Sequence, residues 1–216
     1  MELTKEAIQN LRQDYRSATL SEREIDKDPI QQFSKWFQEA LAANLYEPNV
    51  MTLATADSYG KPSARILLLK GFDQKGFVFF TNYESRKGKE LLENPQASLV
   101  FFWAELERQV RVDGMVSKID EADSAAYFHS RPKGSQIGAL ASPQSSIIPD
   151  RTILEDQVKL LTETYTNIEV PKPGYWGGYL VEPQHIEFWQ GRPSRLHDRI
   201  TYDLVDGIWT INRLAP

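Results

Sequence analysis

From residue 50 onward the chain changes period. Five short runs rich in β-branched and aromatic residues, at 50–56, 62–70, 77–81, 97–103 and 108–119, are separated by turn clusters such as Asp57-Ser58-Tyr59-Gly60 and Asp73-Gln74-Lys75-Gly76. This rhythm constrains the fold most, because strands joined by a few residues pair antiparallel, whereas parallel strands need a crossover of about a dozen residues or more. Strand periods return at 176–181, 184–190, 195–205 and 208–213. The last two flank Asp206-Gly207, a dipeptide suited to a two-residue hairpin. The expected fold class is mainly β with peripheral helices, an antiparallel barrel or sandwich.

Helical spacing frames these strands. Ile8, Leu11 and Tyr15 recur at helical intervals, and after a polar stretch at 17–27 a second helix opens at Asp28-Pro29, with Gln31 three residues after the cap. Ile30, Phe33, Phe37 and Leu41 form its expected apolar stripe. Further helices are expected at 85–93, 120–130 and 150–166, the last with Ile153, Leu154, Val158 and Leu161 on one side. The simplest organisation is an N-terminal helical segment over 1–49 on a barrel over 50–216, the two forming one structural domain.

Several function classes are excluded by what is missing. The chain has no cysteine, which removes disulfides, thiolate zinc sites, iron–sulfur clusters and cysteine nucleophiles. A formal net charge of −5 argues against broad nucleic-acid binding, since a duplex binder needs a net basic face. No signal-like segment and no run of about eighteen apolar residues occurs, so a cytoplasmic protein without membrane spans is expected. There is no Gly-x-Gly-x-x-Gly after a strand, no phosphate-binding Walker loop and no Gly-x-Ser-x-Gly elbow. His129, His185 and His197 lack metal-ligand spacing, and no metal is expected.

What the sequence does supply is groups that bind anions. Ser85-Arg86-Lys87-Gly88 places two cations at a helix start, where the macrodipole is already positive; a phosphate would resolve that conflict, and a solvated basic turn is the other reading. Arg65 and Lys70 bound an apolar run, and strict alternation points them to opposite faces, toward two ligands or as a snorkelling pair. Tyr127, Arg131 and Ser135 recur every four residues and are all donors to phosphate oxygens, although Pro132 interrupts the helix and an ordinary helix terminus reads the same way. Alternation also puts Arg195, His197 and Arg199 on one face, a wall suited to a planar, electron-rich or anionic ligand unless acids such as Asp198 or Glu187 compensate it. Trp189 is the tryptophan best placed to serve as a ligand platform.

These groups fall in ordered motifs. Arg65-Ile66-Leu67-Leu68-Leu69-Lys70, Phe80-Thr81-Asn82, Ser85-Arg86-Lys87, Glu107-Arg108-Gln109-Val110 and Tyr127-Phe128-His129-Ser130-Arg131-Pro132 with Ser135-Gln136-Ile137-Gly138-Ala139 come first. Gln144-Ser145-Ser146, Phe188-Trp189-Gln190-Gly191, Arg195-Leu196-His197-Asp198-Arg199 and Arg213-Leu214-Ala215-Pro216 follow. Through these motifs, nearly end to end, the chain resembles the pyridoxine (pyridoxamine) 5′-phosphate oxidase family. The resemblance implies an FMN-binding split β-barrel and a homodimer with FMN at the subunit interface. It also implies oxidation of pyridoxine or pyridoxamine 5′-phosphate to pyridoxal 5′-phosphate in vitamin B6 biosynthesis and salvage, with dioxygen as acceptor, hydrogen peroxide as product and ammonia released from the amine.

The resemblance further implies the site. Arg65, Arg86, Lys87, Gln144 and Ser145 would hold the FMN phosphate and ribityl region, with the backbone of Ile66, Leu67, Leu68, Leu69, Phe80 and Thr81 along the flavin and Gln109, Trp189 and Arg199 bordering its rings. Lys70 counts among the cofactor residues and also, with Tyr127, Arg131 and Ser135, as a grip on the substrate phosphate. Arg195 and His197 would cover the pyridine ring as the catalytic pair, and Arg12 and Tyr15 would close over it as a lid. Phe80 stands where tyrosine is common, and Leu140 where a larger aromatic is often seen. Two rival readings are distinguishable: a flavin reductase would bind FMN without responding to pyridoxine phosphate, and a non-catalytic module storing FMN or pyridoxal phosphate would not need Arg195 and His197 beside a full phosphate set.

Overall fold

The computed structural model of the chain describes residues 8–11 and 14–216. Its strands are β1 (Val50–Ala56), β2 (Pro62–Leu68), β3 (Gly71–Asp73), β4 (Gly76–Asn82), β5 (Gln96–Trp103), β6 (Arg108–Lys118), β7 (Trp176–Gln190), β8 (Asp198–Val205) and β9 (Ile208–Leu214). They form one sheet in the hydrogen-bonded order β2-β1-β5-β6-β7-β4-β3, with β8 on β7 and β9 on β8. Ile8 and Gln9 are helical, and later in the chain come the helices α1 (Pro29–Ala42), α2 (Arg86–Glu93), α3 (Glu121–Ser130), α4 (Lys133–Ala141) and α5 (Thr152–Thr164). None of them is long and apolar enough to cross a membrane. Contacts divide the chain into two compact units, one made of residues up to Pro48 with Val100–Val112 and His185–Pro216, the other of Asn49–Leu99 and Asp113–Gln184.

In the first unit, the Asp28 carboxylate caps α1 by accepting from the Ile30 and Gln31 amides, and Pro29 occupies the first helical position, where it has no hydrogen bond to lose. The buried face is Ile30, Phe33, Trp36 and Ala40. That face is rotated from the expected stripe: Leu41 is exposed, because Trp36 rather than Phe37 reaches the core and stands edge-on to Phe188 at 5.2 Å. Phe33 meets Phe101 at 5.1 Å, and Phe188 meets the fully buried Tyr202 at 5.6 Å. The β8–β9 hairpin turns at Asp206 and Gly207, at φ 51° and 79°, the mirror-image turn that the dipeptide announces.

In the second unit, β1 and β2 pair antiparallel with Leu53 opposite Arg65 and Thr55 opposite Ser63. Phe77 and Phe79 of β4 are fully buried, and a separate cluster gathers Phe128, Ile137, Val170 and Trp176 with Phe80, Tyr127 and Leu140 packed against it. α4, after Pro132, was not expected from the sequence; proline at its N-terminus starts a new helix where it ends α3. α5 fully buries none of its residues: of the expected stripe Ile153 and Val158 are exposed, while Leu154 and Leu161 are half-buried, Leu161 against the Phe128 cluster.

Four expectations are corrected. Residues 14–16 are not helical, so no helix carries Tyr15. β2 ends at Leu68, which takes Lys70 out of the ladder; its amide instead donates to Val78 O at 2.8 Å. β7 is a single strand running through Pro183 rather than two strands broken there. It pairs with β4 as far as Val181 and with β8 from His185, so Pro183 falls at the change of partner, where its missing N–H costs no ladder bond. β8 begins at Asp198 and not at 195, because residues 193–195 form a 3₁₀ turn with Ser194 and Arg195 at φ 56° and 61°, which no strand accommodates.

Candidate active site

The second unit builds an anion cradle at the start of α2. Ser85 caps the helix, its Oγ accepting from the Gly88 amide at 3.3 Å. The Arg65 guanidinium donates to Leu53 O at 3.2 Å, to Thr55 Oγ1 at 2.6 Å and to Ser63 Oγ. The buried Lys87 ammonium donates to Thr81 Oγ1 at 3.2 Å, Ser85 Oγ at 3.3 Å and Gln144 Oε1 at 3.1 Å. Burial lowers the pKa of Lys87 to about 8, with the Arg65 charge adding to the effect and Glu90 opposing it. Arg86, Gln144 and Ser145 line an open cleft of about 560 Å³. A guanidinium on an open cleft at a helix start, with Lys87 bonded to the Gln144 that shares the cleft, suits a phosphomonoester.

A second arrangement in this unit centres on Arg131. Phe80 stacks on Tyr127 at 3.9 Å and on Trp176 at 5.4 Å, and the Arg131 guanidinium lies 4.8 Å over the Trp176 ring. Its Nη2 donates to Ser135 O at 2.9 Å, whereas Nη1 is buried and has no hydrogen-bond partner. Burial presses the Arg131 pKa downward. A buried guanidinium nitrogen without an acceptor is costly, and an oxyanion is the group that satisfies it. Tyr127, Arg131 and Ser135 are thus brought together across the α3–α4 junction, while Lys70 is exposed and bonded through its backbone.

In the first unit, Tyr15, Arg192, Ser194, Arg195 and His197 line a cleft of about 560 Å³. Trp189 lies 4.6 Å from the His197 ring, and Tyr15 stands near both at 5.7 and 5.8 Å. Gly191 makes that seat: a Cβ there would fall 2.6 Å from the Tyr15 ring. Burial and the neighbouring Arg195 charge lower the His197 pKa, so the ring is neutral at neutral pH. Its Nδ1 accepts from the Arg192 amide at 3.1 Å, which leaves the hydrogen of the neutral ring on Nε2.

Arg195 and His197 therefore meet in one cleft, but through the turn at 193–195 and not by strand alternation. Arg199 sits opposite Trp189 in the β7–β8 ladder, and its charge is compensated. Its Nε and Nη2 donate to both oxygens of the buried Glu187 at 2.8 and 3.0 Å, and Nη1 donates to Ala215 O at 3.0 Å. Glu187 also pairs with Arg111 at 3.3 Å; burial works against its ionisation, but the Arg199 hydrogen bonds and nearby cations hold its pKa low. Gln109 is half-buried in β6, Ile66 is exposed, Leu67 and Leu68 are half-buried and Leu69 is buried. Arg12 lies outside the described residues. Among the described residues no group of three or more His, Asp and Glu is arranged to hold a metal.

Residues 37–165 match the family model described as pyridoxamine 5′-phosphate oxidase, and residues 176–216 match the pyridoxine 5′-phosphate oxidase C-terminal dimerisation region. The chain belongs to the pyridoxamine 5′-phosphate oxidase family. Among the relatives of this family, the pyridoxine/pyridoxamine 5′-phosphate oxidase of Acaryochloris marina is 54% identical over 213 residues, covering 99% of this chain and 97% of its own length. That of a Nostoc species is 58% identical over 210 residues, covering 97% and 98%. The solved structure of PhzG from Burkholderia lata, in complex with tetrahydrophenazine-1-carboxylic acid, is 30% identical with a TM-score of 0.87, covering 92% of this chain and 98% of that one. The oxidase family's mainly β, antiparallel split-barrel fold with peripheral helices is the fold of this chain. Within that fold, Glu90 beside Arg65 and Arg86 and the seat that Gly191 makes for Tyr15 are the features that motif reading passed over, while Glu187 behind Arg199 is one of the two compensating acids it named.

Proposed function

We infer that this chain is an FMN-dependent oxidase that converts pyridoxine and pyridoxamine 5′-phosphates to pyridoxal 5′-phosphate, with dioxygen as final acceptor, hydrogen peroxide as product and ammonia released from the amine. The observation that carries the reading is that the second unit has two separate sets of cationic donors of a kind that suits phosphate, the group of Arg65, Arg86 and Lys87 and the unpartnered Nη1 of Arg131. A phosphorylated cofactor and a phosphorylated substrate need two. The relatives of matching length carry the same activity in their names. FMN, when bound, supplies the two-electron redox chemistry that oxidises the exocyclic C4′ of the substrate.

The chain's own task is positioning and charge. Arg65, Arg86 and Lys87, with Gln144, Thr81 and Ser145, would hold the FMN phosphate; the chemistry of this donor set fits it. The segment from Ile66 to Lys70 and Phe80 would run along the flavin, with Gln109, Trp189 and Arg199 at its rings. Arg131, Tyr127 and Ser135, joined by Lys70, would take the substrate phosphate. Arg195 and His197 would cover the pyridine ring; His197, neutral and with its hydrogen on Nε2, orients the substrate as a donor rather than accepting its proton. Tyr15, and with it Arg12, would close the cleft against water. We further propose a cytoplasmic homodimer with FMN at the subunit interface, supported by the match of residues 176–216 to a dimerisation region.

The test is the visible spectrum of the FMN-loaded protein under anaerobic conditions, before and after adding pyridoxine 5′-phosphate. Bleaching that air reverses is the expected result. A bound flavin whose spectrum stays unchanged would move the activity to another split-barrel flavoprotein, and a protein that takes up no flavin would remove the cofactor from the reading.

A further inference from the structure

The cations of the cradle share one carboxylate. Glu90 follows Arg86 by four residues on α2, so the two side chains lie on one helix face, and Arg86 Nε donates to Glu90 Oε1 at 2.8 Å. The other oxygen, Oε2, accepts from Thr55 Oγ1 at 2.5 Å, Ser63 Oγ at 2.6 Å and Arg65 Nη2 at 3.2 Å. Its side chain is 7% exposed. Burial works against its ionisation, but the hydrogen bonds from Ser63, Thr55, Arg86 and Arg65 outweigh this and hold its pKa at about 2. Asp57, Glu84 and Glu93 also line the cleft, yet among the described residues Glu90 alone pairs with Arg65 and Arg86.

We propose that Glu90 is an internal counter-ion of the phosphate cradle, which shares Arg65 and Arg86 with the phosphate group of FMN and so limits how tightly the cofactor is held. This rests on the flavin reading above. Two opposed consequences follow from one carboxylate. It relieves the repulsion among Arg65, Arg86 and Lys87, three cations gathered at one helix start, and it stands beside the place where a phosphate dianion must sit, in a partly desolvated site where like charges repel strongly. The hydroxyls of Thr55 and Ser63 fix it from the β1–β2 ladder, so it does not swing aside. A purely bracing carboxylate, one that only aligns the two guanidiniums, predicts the opposite sign on replacement.

The experiment compares Glu90→Gln with the parent protein after removal of FMN. Flavin fluorescence quenching reads FMN affinity, and the melting temperature against inorganic phosphate reads the cradle without any flavin. Gln keeps a hydrogen-bonding carbonyl and removes the charge, so about tenfold tighter FMN binding is expected, with phosphate protecting at correspondingly lower concentration. Unchanged or weaker FMN binding by folded Glu90→Gln overturns the proposal in favour of bracing. If the excess charge prevents folding, Arg86→Gln and the charge-balanced Arg86→Gln/Glu90→Gln pair decide it: the double variant must bind FMN more tightly than Arg86→Gln alone, and equal or weaker binding overturns the counter-ion. A parent that takes up no FMN while Glu90→Gln still strengthens phosphate protection leaves the counter-ion standing and removes only the flavin reading.

Discussion

Lys87 gives the cradle a pH dependence whose sign follows from its burial. Its pKa is lowered to about 8, so the free cradle carries this charge below pH 8 and loses it above. A bound phosphate, a dianion above its second pKa of about 6, holds the amine protonated. FMN affinity should therefore fall as pH rises through about 8, by up to tenfold per unit, until the bound amine titrates as well. Without ligand the sign reverses: the unfolded chain keeps this proton up to the usual lysine range, so stability rises with pH above about 8. FMN titrations from neutral to alkaline pH check this; Lys87→Met should flatten the profile and weaken binding at neutral pH, and a parent profile already flat would remove Lys87 from the cradle. At this scale the cations that the motifs single out lie near one another, since Lys87 bonds Gln144, Gln144 shares a cleft with Arg86, and Arg65 and Arg86 pair with one carboxylate. They missed Glu90 because an acid four residues after Arg86 reads as a solvated helix pair, and only the β1–β2 register brings Thr55 and Ser63 onto it. Arg199 is compensated by Glu187, one of the two acids the sequence offered; that it is Glu187 and not the adjacent Asp198 is decided by the β7–β8 ladder.

Elements were legible where period and turn chemistry agreed, and misread where tertiary pairing overrode them. The α1 cap and the Asp206-Gly207 turn are local and came out as expected. Pro183 and the turn at 193–195 did not. A proline marks a break unless the strand is changing partners there, and Arg195 alternates with His197 in sequence while standing at positive φ in space. The segment that follows β7 carries a prediction of its own. Gly191 seats the Tyr15 ring, and its amide donates to Glu107 O at 2.7 Å, a bond that alanine keeps. Gly191→Ala should displace Tyr15 from Trp189 and His197, losing an aromatic contact of about 0.5–1.5 kcal/mol. The outcome expected in steady-state kinetics is a KM raised up to about tenfold with FMN affinity unchanged. Parent kinetics in this variant would mean that Tyr15 does not act as a lid.

At the scale of the molecule, the exposed apolar residues of the C-terminal stretch point to assembly. Leu196, Val205 and Ile208 are all exposed, within the stretch that matches a dimerisation region. Light scattering should give a mass of twice 24.8 kDa, and a monomer at micromolar concentration would sink the homodimer. The overall class, mainly β and antiparallel, was legible from turn spacing, whereas the division of contacts was not, because it cuts across β5, β6 and β7 and leaves no boundary in composition. β7 has a consequence for how such a chain varies. The C-terminal family segment begins at its first residue, yet its front half must keep register with β4 and its back half with β8. The terminal segment is therefore not an interchangeable module. A homologue's copy grafted on at residue 176 would bring a front half tuned to a foreign β4, so inheritance should exchange the segment only together with β4, or not at all.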